Sequence, residues 1–494
     1  MKRVASGILP VIAVDRKAPK ALHRQIYDAY RAAVLDGSLR PRQRIPSTRV
    51  LASELGVSRF PVLNAYSQLL AEGYFESCVG AGTVVSSSLP DQLTSSAPTD
   101  AGFAASRSGP RPVARRSSYL PRFEGFPWLQ VWGAFGVGQV AVDQFPLQVW
   151  SKLVAGRCRT MDTKSFHYGD QMGSEALREM IASYLRTARS LHCEAEQVMI
   201  VSGSQHALEI SAHVLLDPGS SVWMEEPGYR LAQDAFALTG CRPVPVPVDQ
   251  EGLDVAAGIK QCRKARAAFV TPSHQFPLGV TMSASRRFEL LDWAQNTGSW
   301  IIEDDYDSEY RYESLPIASL QGLDANARVI YIGTFSKVLF PSLRLGYIVI
   351  PSDLVDRFLT IRRAMDLGPP SFYQEVLADF IGEGHFGRHI RRMRALYGER
   401  RSALVDSIRR ELGSMVEVLG DAAGMHLAVT LPKRSRDVEI AERAARQSLS
   451  MWPLSLSYLG ERSRRPGLIL GFGSTRVEEI LPAVRKLRNL LAVK

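Results

Sequence analysis

Residues 86–118, SSSLPDQLTSSAPTDAGFAASRSGPRPVARRSS, hold almost no large apolar side chains, and this stretch limits the fold more than any other. Serine, alanine, proline and glycine dominate it, leaving nothing from which to build a core. A chain interrupted in this way folds in at least two pieces, as a length of 494 residues independently requires. Treated as a flexible chain, the stretch spans about 30 Å root-mean-square. The expected division is a first domain over residues 1–88, a flexible linker over 89–124 and a second domain over 125–494.

The formal charge of +10 is unevenly placed. Residues 1–88 carry 12 Lys/Arg against 6 Asp/Glu, residues 89–123 carry 5 against 2, and the remainder is close to neutral. Positive charge gathered on the first quarter of a chain suits a polyanionic partner, with a merely solvated surface as the bland alternative. Five scattered cysteines (Cys78, Cys158, Cys193, Cys241 and Cys262) include no Cys-x-x-Cys pair. That argues against a disulfide framework or a zinc site and for a reducing compartment, and no metal is expected. The opening Lys2-Arg3 and the apolar run to Val14 imitate a signal peptide. Pro10 interrupts the run, Asp15-Arg16-Lys17 closes it and no small-residue cleavage site follows, so a first strand is expected there. No run reaches the roughly 18 apolar residues of a membrane span, and a cytoplasmic protein without membrane contact is the expectation.

Leu22, Ile26, Ala29, Tyr30, Ala33 and Val34 recur at helical spacing, with Gly37 as a stop. Pro46-Ser47 opens a second helix with Val50, Leu51 and Leu55 inward, and Gly56 turns the chain. Ser58 caps a third helix with Val62, Tyr66, Leu69 and Leu70 on one face, ending at Gly73. Pro61 falls in its first turn, where a missing N–H costs little. A short helix, a glycine turn and a second capped helix make a helix-turn-helix, whose second helix enters the major groove. Tyr74-Phe75 and Thr83-Val84-Val85 flank Gly80-Ala81-Gly82 as a hairpin wing. The stretch IPSTRVLASELGVSRFPVLNAYSQLLAEGYFESCVGAGTVV resembles the GntR type of winged helix-turn-helix over most of residues 19–87. The resemblance implies DNA contacts from Ser47, Thr48, Arg49, Ser58, Arg59 and Phe60, the arginines reaching phosphates or guanine edges. Two features depart from the type: Phe60-Pro61 replaces a polar pair, and no basic residue precedes the wing's glycine tip.

From about residue 125, short apolar runs alternate with helical stretches. Strands are expected at Val198–Val201, Ser221–Met224, Ala267–Thr271, Trp300–Ile302, Val329–Ile332 and Tyr347–Ile350. An amphipathic helix is expected over Arg388–Arg410, with a smaller α+β lobe after it. Such alternation predicts an α/β domain with a mainly parallel sheet, whose ligands bind at the carboxyl ends of strands. The residues past those ends converge on one chemistry. Ser202-Gly203-Ser204-Gln205 runs straight into a helix and offers N–H groups and hydroxyls to a phosphate. Glu303-Asp304-Asp305-Tyr306-Asp307 suits a metal, a solvated loop or a cationic ring nitrogen. Gly333-Thr334-Phe335-Ser336-Lys337 sets a lysine beyond a strand, with Arg344 seven residues on as a bidentate phosphate partner.

Together with EEPGY, TPSHQFPLG, IIEDDYDSEYRY and YIGTFSKVLFPSLRLGY, these residues resemble fold-type I aminotransferases. Over essentially the whole chain the resemblance is to the MocR/GabR-type regulators, which fuse a GntR-type winged helix-turn-helix (α+β) to an aminotransferase-like domain with a small C-terminal α+β lobe. It implies pyridoxal 5′-phosphate as cofactor, joined to Lys337 as an internal aldimine that an incoming amine displaces. It further implies Asp304 at the pyridine nitrogen, chosen over Asp305 by register with Lys337, Tyr306 at the phenolic oxygen and Tyr229 stacked on the ring. Ser204, Gln205, Thr334, Ser336 and Arg344 would hold the phosphate. A homodimer on paired operator half-sites is the implied assembly.

Two positions break the catalytic pattern. The usual Asn-Pro-x-Gly turn reads Phe276-Pro277-Leu278-Gly279, leaving His274 or Gln275 to supply the missing contact. The arginine that grips a substrate carboxylate, three residues before the last strand's Phe472, is Ile469; Arg464 and Arg465 lie just upstream. At most partial transamination is therefore expected. The leading expectation is a DNA-binding regulator that senses pyridoxal phosphate or an amine through Lys337. Its alternatives are a working aminotransferase with an ancillary DNA-binding domain, and a fusion whose second domain has lost the cofactor.

Overall fold

In the computed structural model, which describes residues 12–78, 82–87, 112–114, 126–312 and 318–492, the helical repeats of the first quarter become three helices. These are α1 (Leu22–Leu35), α2 (Thr48–Glu54) and α3 (Arg59–Ala71), followed by the antiparallel strands β1 (Phe75–Cys78) and β2 (Gly82–Val85). Gly56, at φ +63°, makes the turn between α2 and α3 in a conformation that a side chain would strain. Ser47 caps α2 by accepting from Val50 N at 3.4 Å, whereas Ser58 holds the cap position of α3 without a side-chain bond. The centre of this unit is aromatic. Tyr30, Tyr66 and Phe75 meet edge to face with centroids 5.4–5.7 Å apart, each pair worth about 0.5–1.5 kcal/mol beyond its burial. Tyr66 also donates to Pro46 O at 3.0 Å, which ties α3 to the entrance of α2.

Two inward assignments fail. Val50 is 48% exposed and Leu70 36% exposed, because one residue's rotation along a helix carries a side chain off the face that holds Leu51, or Leu69. The expected first strand lies largely outside the described residues, and from Ile12 to Val14 the chain is irregular, with Ile12 packed in the core.

The chain divides into two compact units, Met1–Pro112 and Val113–Lys494, and much of the expected linker lies outside the described residues. The second unit is built on an eight-stranded sheet: β3 (Val198–Val201), β4 (Ser221–Glu226), β5 (Arg242–Asp249), β6 (Gly252–Leu253), β7 (Ala267–Val270), β8 (Trp300–Asp305), β9 (Val329–Thr334) and β10 (Gly346–Val349). Their order is β3-β10-β9-β8-β7-β4-β5-β6, with β5, β4, β7, β8 and β9 mutually parallel and β10 antiparallel to both neighbours. The apolar runs are continuous because both faces are covered. Val198 and Ile200 enter one core with Tyr331 and Tyr347, while Met199 and Val201 enter another with Ile332 and Ile348.

Strand β5 was not among those expected. Its sequence, RPVPVPVD, places proline at every second position, which reads as irregular. Paired with β4 over Arg242–Pro247, it uses the intervening residues as donors and turns the missing donors of Pro243, Pro245 and Pro247 outward.

The smaller lobe is an antiparallel sheet, β11 (Val418–Leu419), β12 (His426–Thr430), β13 (Trp452–Pro453) and β14 (Gly467–Gly471), in the order β11-β12-β14-β13. The long helix expected over Arg388–Arg410 runs His385–Glu411. No helix among the described residues is long and apolar enough to cross a membrane.

Candidate functional site

Strand β8 runs three residues past its apolar part, so alternation sends its carboxylates to opposite faces of the sheet. On one face Glu303 accepts from the backbone N–H groups of Leu320 and Gln321 at 2.9 and 3.0 Å, with Arg287 as its nearby charge. On the same face Asp305 meets Arg189 at 2.7 Å and accepts from the Tyr331 hydroxyl at 2.5 Å. On the other face Asp304 is buried, and its Oδ1 has no hydrogen-bond partner among the described residues. Burial, with Asp305 and Asp307 adding repulsion, pushes the Asp304 carboxyl up to about 8. The reading of this segment as a solvated acidic loop is excluded, since Glu303, Asp304, Asp305 and Asp307 are all at most 6% exposed.

Lys337 follows β9, the parallel neighbour of β8, and its Nζ donates to Gly138 O at 3.2 Å. Burial lowers the amine's proton affinity, while Asp307 and Asp304 pull the other way. A desolvated lysine of this kind is a better nucleophile than one on the surface. Gly138 was not foreseen. A Cβ there would stand 2.6 Å from Lys337 Nζ and displace the amine, and the φ of +74° at this position favours glycine.

Ser204 and Gln205 open the helix Ser204–Leu215, and Arg344 reaches its start. Its cap, Gly203, has φ +89° and no capping side chain, which leaves the first N–H groups of Ser204 and Gln205 without a capping acceptor. A Cβ on Gly203 would lie 3.4 Å from the Arg344 guanidinium, and Arg344 donates to Ser202 O at 2.8 Å. Thr334 Oγ1 accepts from Ser336 N at 3.2 Å. Tyr229, raised to about 12 mainly by burial, interacts electrostatically with Asp304 and Arg344 and lies beside Gln205. The buried Gln205 Nε2 has no hydrogen-bond partner among the described residues. An unpartnered carboxylate, an uncapped helix start and a guanidinium beside it therefore fit the ring nitrogen and phosphate of pyridoxal phosphate, with Lys337 as the amine for its aldehyde.

Of the two residues weighed as replacements for the missing asparagine, His274 faces the site and Gln275 does not. The Tyr306 hydroxyl donates to His274 O at 2.9 Å and lies 3.0 Å from His274 Nδ1, which is also 3.0 Å from Asp307 Oδ2. Gln275 Nε2 instead serves Glu225 and Pro227 O at 3.2 and 2.9 Å. Glu225, also held by Thr271, is pushed up to about 7 by burial. His426 lies beside His274 with ring centroids 4.8 Å apart, and burial holds it well below the ordinary histidine range. The ligand atoms of His274, Asp307 and His426 all fall within 4.8 Å of one another. No sequence spacing announced this cluster, because its members come from three separate segments.

The two pattern-breaking residues belong to one packed group. Ile469, fully buried on β14, sits in a cluster with Leu454 and Tyr458, and Phe276, Leu278, Val137 and Trp452 pack on it. Phe276 in turn meets the ring of Tyr229 at 5.7 Å and that of His426 at 5.2 Å. Arg464 and Arg465 are exposed.

In the first unit, Ser47, Arg49, Ser58, Arg59 and Phe60 are exposed and Thr48 is half-buried. Arg59 donates to Thr48 Oγ1 at 3.1 Å, which joins the starts of α2 and α3. Phe60 is 70% exposed. Arg44, outside the wing, bridges to Val84, and a Cβ on Gly82 would lie 3.6 Å from its guanidinium. The expected wing tip, residues 79–81, lies outside the described residues.

Residues 133–458 match the family model of aminotransferase class I and II, and residues 22–85 match that of the bacterial regulatory proteins, gntR family. The probable rhizopine catabolism regulatory protein MocR of Rhizobium meliloti is 38% identical over 97% of this chain and 95% of its own length. The pyridoxine biosynthesis transcriptional regulator PdxR of Corynebacterium glutamicum is 30% identical over 94% of each chain. Among solved structures, the kynurenine aminotransferase of Pyrococcus horikoshii is similar with a TM-score of 0.71 and 26% identity, over 77% of this chain and 96% of that one.

Proposed function

The chain belongs to the MocR-type regulators of the GntR family, and from that premise we propose that it binds operator DNA through its first unit and holds pyridoxal phosphate at Lys337 in its second. The observation that carries the second half is the buried Asp304 Oδ1 without a partner, on the sheet face that Tyr229 and the helix Ser204–Leu215 share. A buried carboxylate is costly unless a cation meets it, and a protonated ring nitrogen is such a cation. When bound, the cofactor supplies an electrophilic aldehyde carbon. Lys337 Nζ is the amine that reaches it, and Tyr306, fixed by His274, presents its hydroxyl to the ring oxygen. Arg344, Ser204, Gln205, Thr334 and Ser336 would hold the phosphate, and Tyr229 would stack on the ring.

In this reading a small amine competes with Lys337 for the cofactor, and its binding shifts the protein between two arrangements with different affinity for DNA. Ser47, Thr48, Arg49, Ser58, Arg59 and Phe60 form the DNA face. Two copies associate, each presenting its winged helix to one half-site. Exposed Trp132, Phe166, Tyr168 and Leu147, each at least 65% exposed on the second unit, favour such an assembly. Transamination of ordinary amino acids is disfavoured, because a buried Ile469 cannot pair with a carboxylate.

Borohydride reduction of the purified protein followed by peptide mapping tests the reading. The expected result is cofactor mass on the peptide containing Lys337; an unmodified peptide, with no cofactor absorbance, would overturn it. Operator retention measured with and without pyridoxal phosphate tests the link between the units, and identical affinities would break that link.

A further inference from the structure

We propose that the small-molecule ligand of the second unit is a primary amine with an apolar body and no α-carboxylate, received against Phe276, Leu278, Val137 and Trp452. The inference rests on Lys337 as the cofactor lysine. Two independent observations carry it, one of charge and one of shape.

The charge around Lys337 is lopsided. Asp307 and Asp304, 2% and 4% exposed, both interact electrostatically with its amine. The arginines nearest them among the described residues are engaged. Arg189 is held by Asp305 at 2.7 Å and donates to Ser273 Oγ at 2.7 Å. Arg287 donates to the carbonyls of Met282, Ala318 and Pro272 at 3.1, 3.0 and 2.9 Å. Arg311 donates to Ser273 O at 3.0 Å. Arg344 stands at the phosphate end, on Ser202 O. His426 is held neutral by burial. A ligand carboxylate would thus enter beside the Asp307 carboxylate, with the nearby arginines among the described residues committed elsewhere, whereas an ammonium group would be drawn in.

The wall has the complementary character. Val137 adjoins Gly138, whose carbonyl receives Lys337 Nζ, so the cluster around Ile469 begins one residue from the reactive amine. Phe276 links that cluster to Tyr229, and Leu278 and Trp452 extend it. All of these are carbon-rich surfaces that favour an apolar substituent on the ligand.

Matched pairs isolate the carboxylate. The cofactor-loaded full chain is titrated with 2-phenylethylamine against L-phenylalanine, and with 3-methylbutylamine against L-leucine, read by cofactor absorbance and by calorimetry. Each amine is expected to bind at least about tenfold more tightly than its amino acid. An amino acid that binds as well as its amine overturns the proposal, as does a failure of all four to bind protein whose Lys337 is shown to carry cofactor. Protein that carries none at Lys337 overturns the proposed function and this inference together. Phe276→Asn combined with Ile469→Arg is expected to reduce the preference to below about threefold, and an unchanged preference in the folded double variant counts against the proposal. Should that variant not fold, Leu278→Ala serves. It should weaken 2-phenylethylamine several-fold and leave methylamine unchanged, and equal binding of 2-phenylethylamine to both proteins would overturn the role of the wall.

Discussion

The two units place their working residues in opposite surroundings. In the first, Arg49, Arg59 and the 70% exposed Phe60 stand in solvent, already hydrated and held by little more than the bond from Arg59 to Thr48. In the second, Asp304 is 4% exposed and the Lys337 amine is desolvated. Exposed charges interact through high dielectric and salt, so each contributes modestly and the face works as a sum. Buried charges interact through a poor dielectric, so one substitution decides the outcome. The difference ranks the expected effects of mutation.

Lys337→Ala carries the largest: all borohydride-fixed cofactor on that peptide should vanish, and any retained would show a different amine at work. Next comes the contrast across β8. Asp304→Asn should weaken cofactor binding by about 3–5 kcal/mol, since it removes the anionic partner of a buried cation, while barely lowering the stability of the cofactor-free protein. Asp305→Asn should do the reverse, lowering the melting temperature by stranding the Arg189 cation with which Asp305 is paired. If both substitutions moved both readouts alike, the two-faced assignment would be lost.

The same carboxylate sets a pH dependence. Its folded value of about 8 lies above the ordinary 3.8, so the folded cofactor-free protein binds a proton that the unfolded chain has released. Its stability therefore falls as pH rises from about 4 to about 8, with Glu225 and Glu303, both near 7, contributing in the same direction. Melting curves of the Asp304→Asn protein should show a shallower fall, and an unchanged slope would contradict the burial of Asp304.

Ile469→Ala should cost about 2–4 kcal/mol of stability through an unfilled cavity, with cofactor affinity little altered. The smallest effect belongs to the exposed unit. Arg59→Ala should weaken DNA binding by roughly 1 kcal/mol and lower the slope of log affinity against log salt by about one unit. A loss at that position as large as those in the buried site would overturn the comparison.

The sequence showed most plainly what local pattern controls. The helical triplet, six of the eight strands in the main sheet and the long helix were legible from periodicity. Strand β8 was read as ending at Ile302 because carboxylates look like loop; the sheet continues since Arg189 and backbone N–H groups from distant segments satisfy them. The grouping of His274, Asp307 and His426, and the arrival of Arg44 beside the wing, likewise depend on chain crossings that no spacing encodes. The shared packing of Phe276 and Ile469 was hidden for the same reason, although each departure was visible alone.

The alternating prolines of β5 have a consequence for assembly. Along that margin the main sheet presents carbonyl groups at Pro243 and Pro245 without matching donors, while the carbonyl of Pro247 already accepts from Asp254 N at 2.9 Å. A foreign strand laid there finds half of its ladder absent, so the margin resists fibril-like growth.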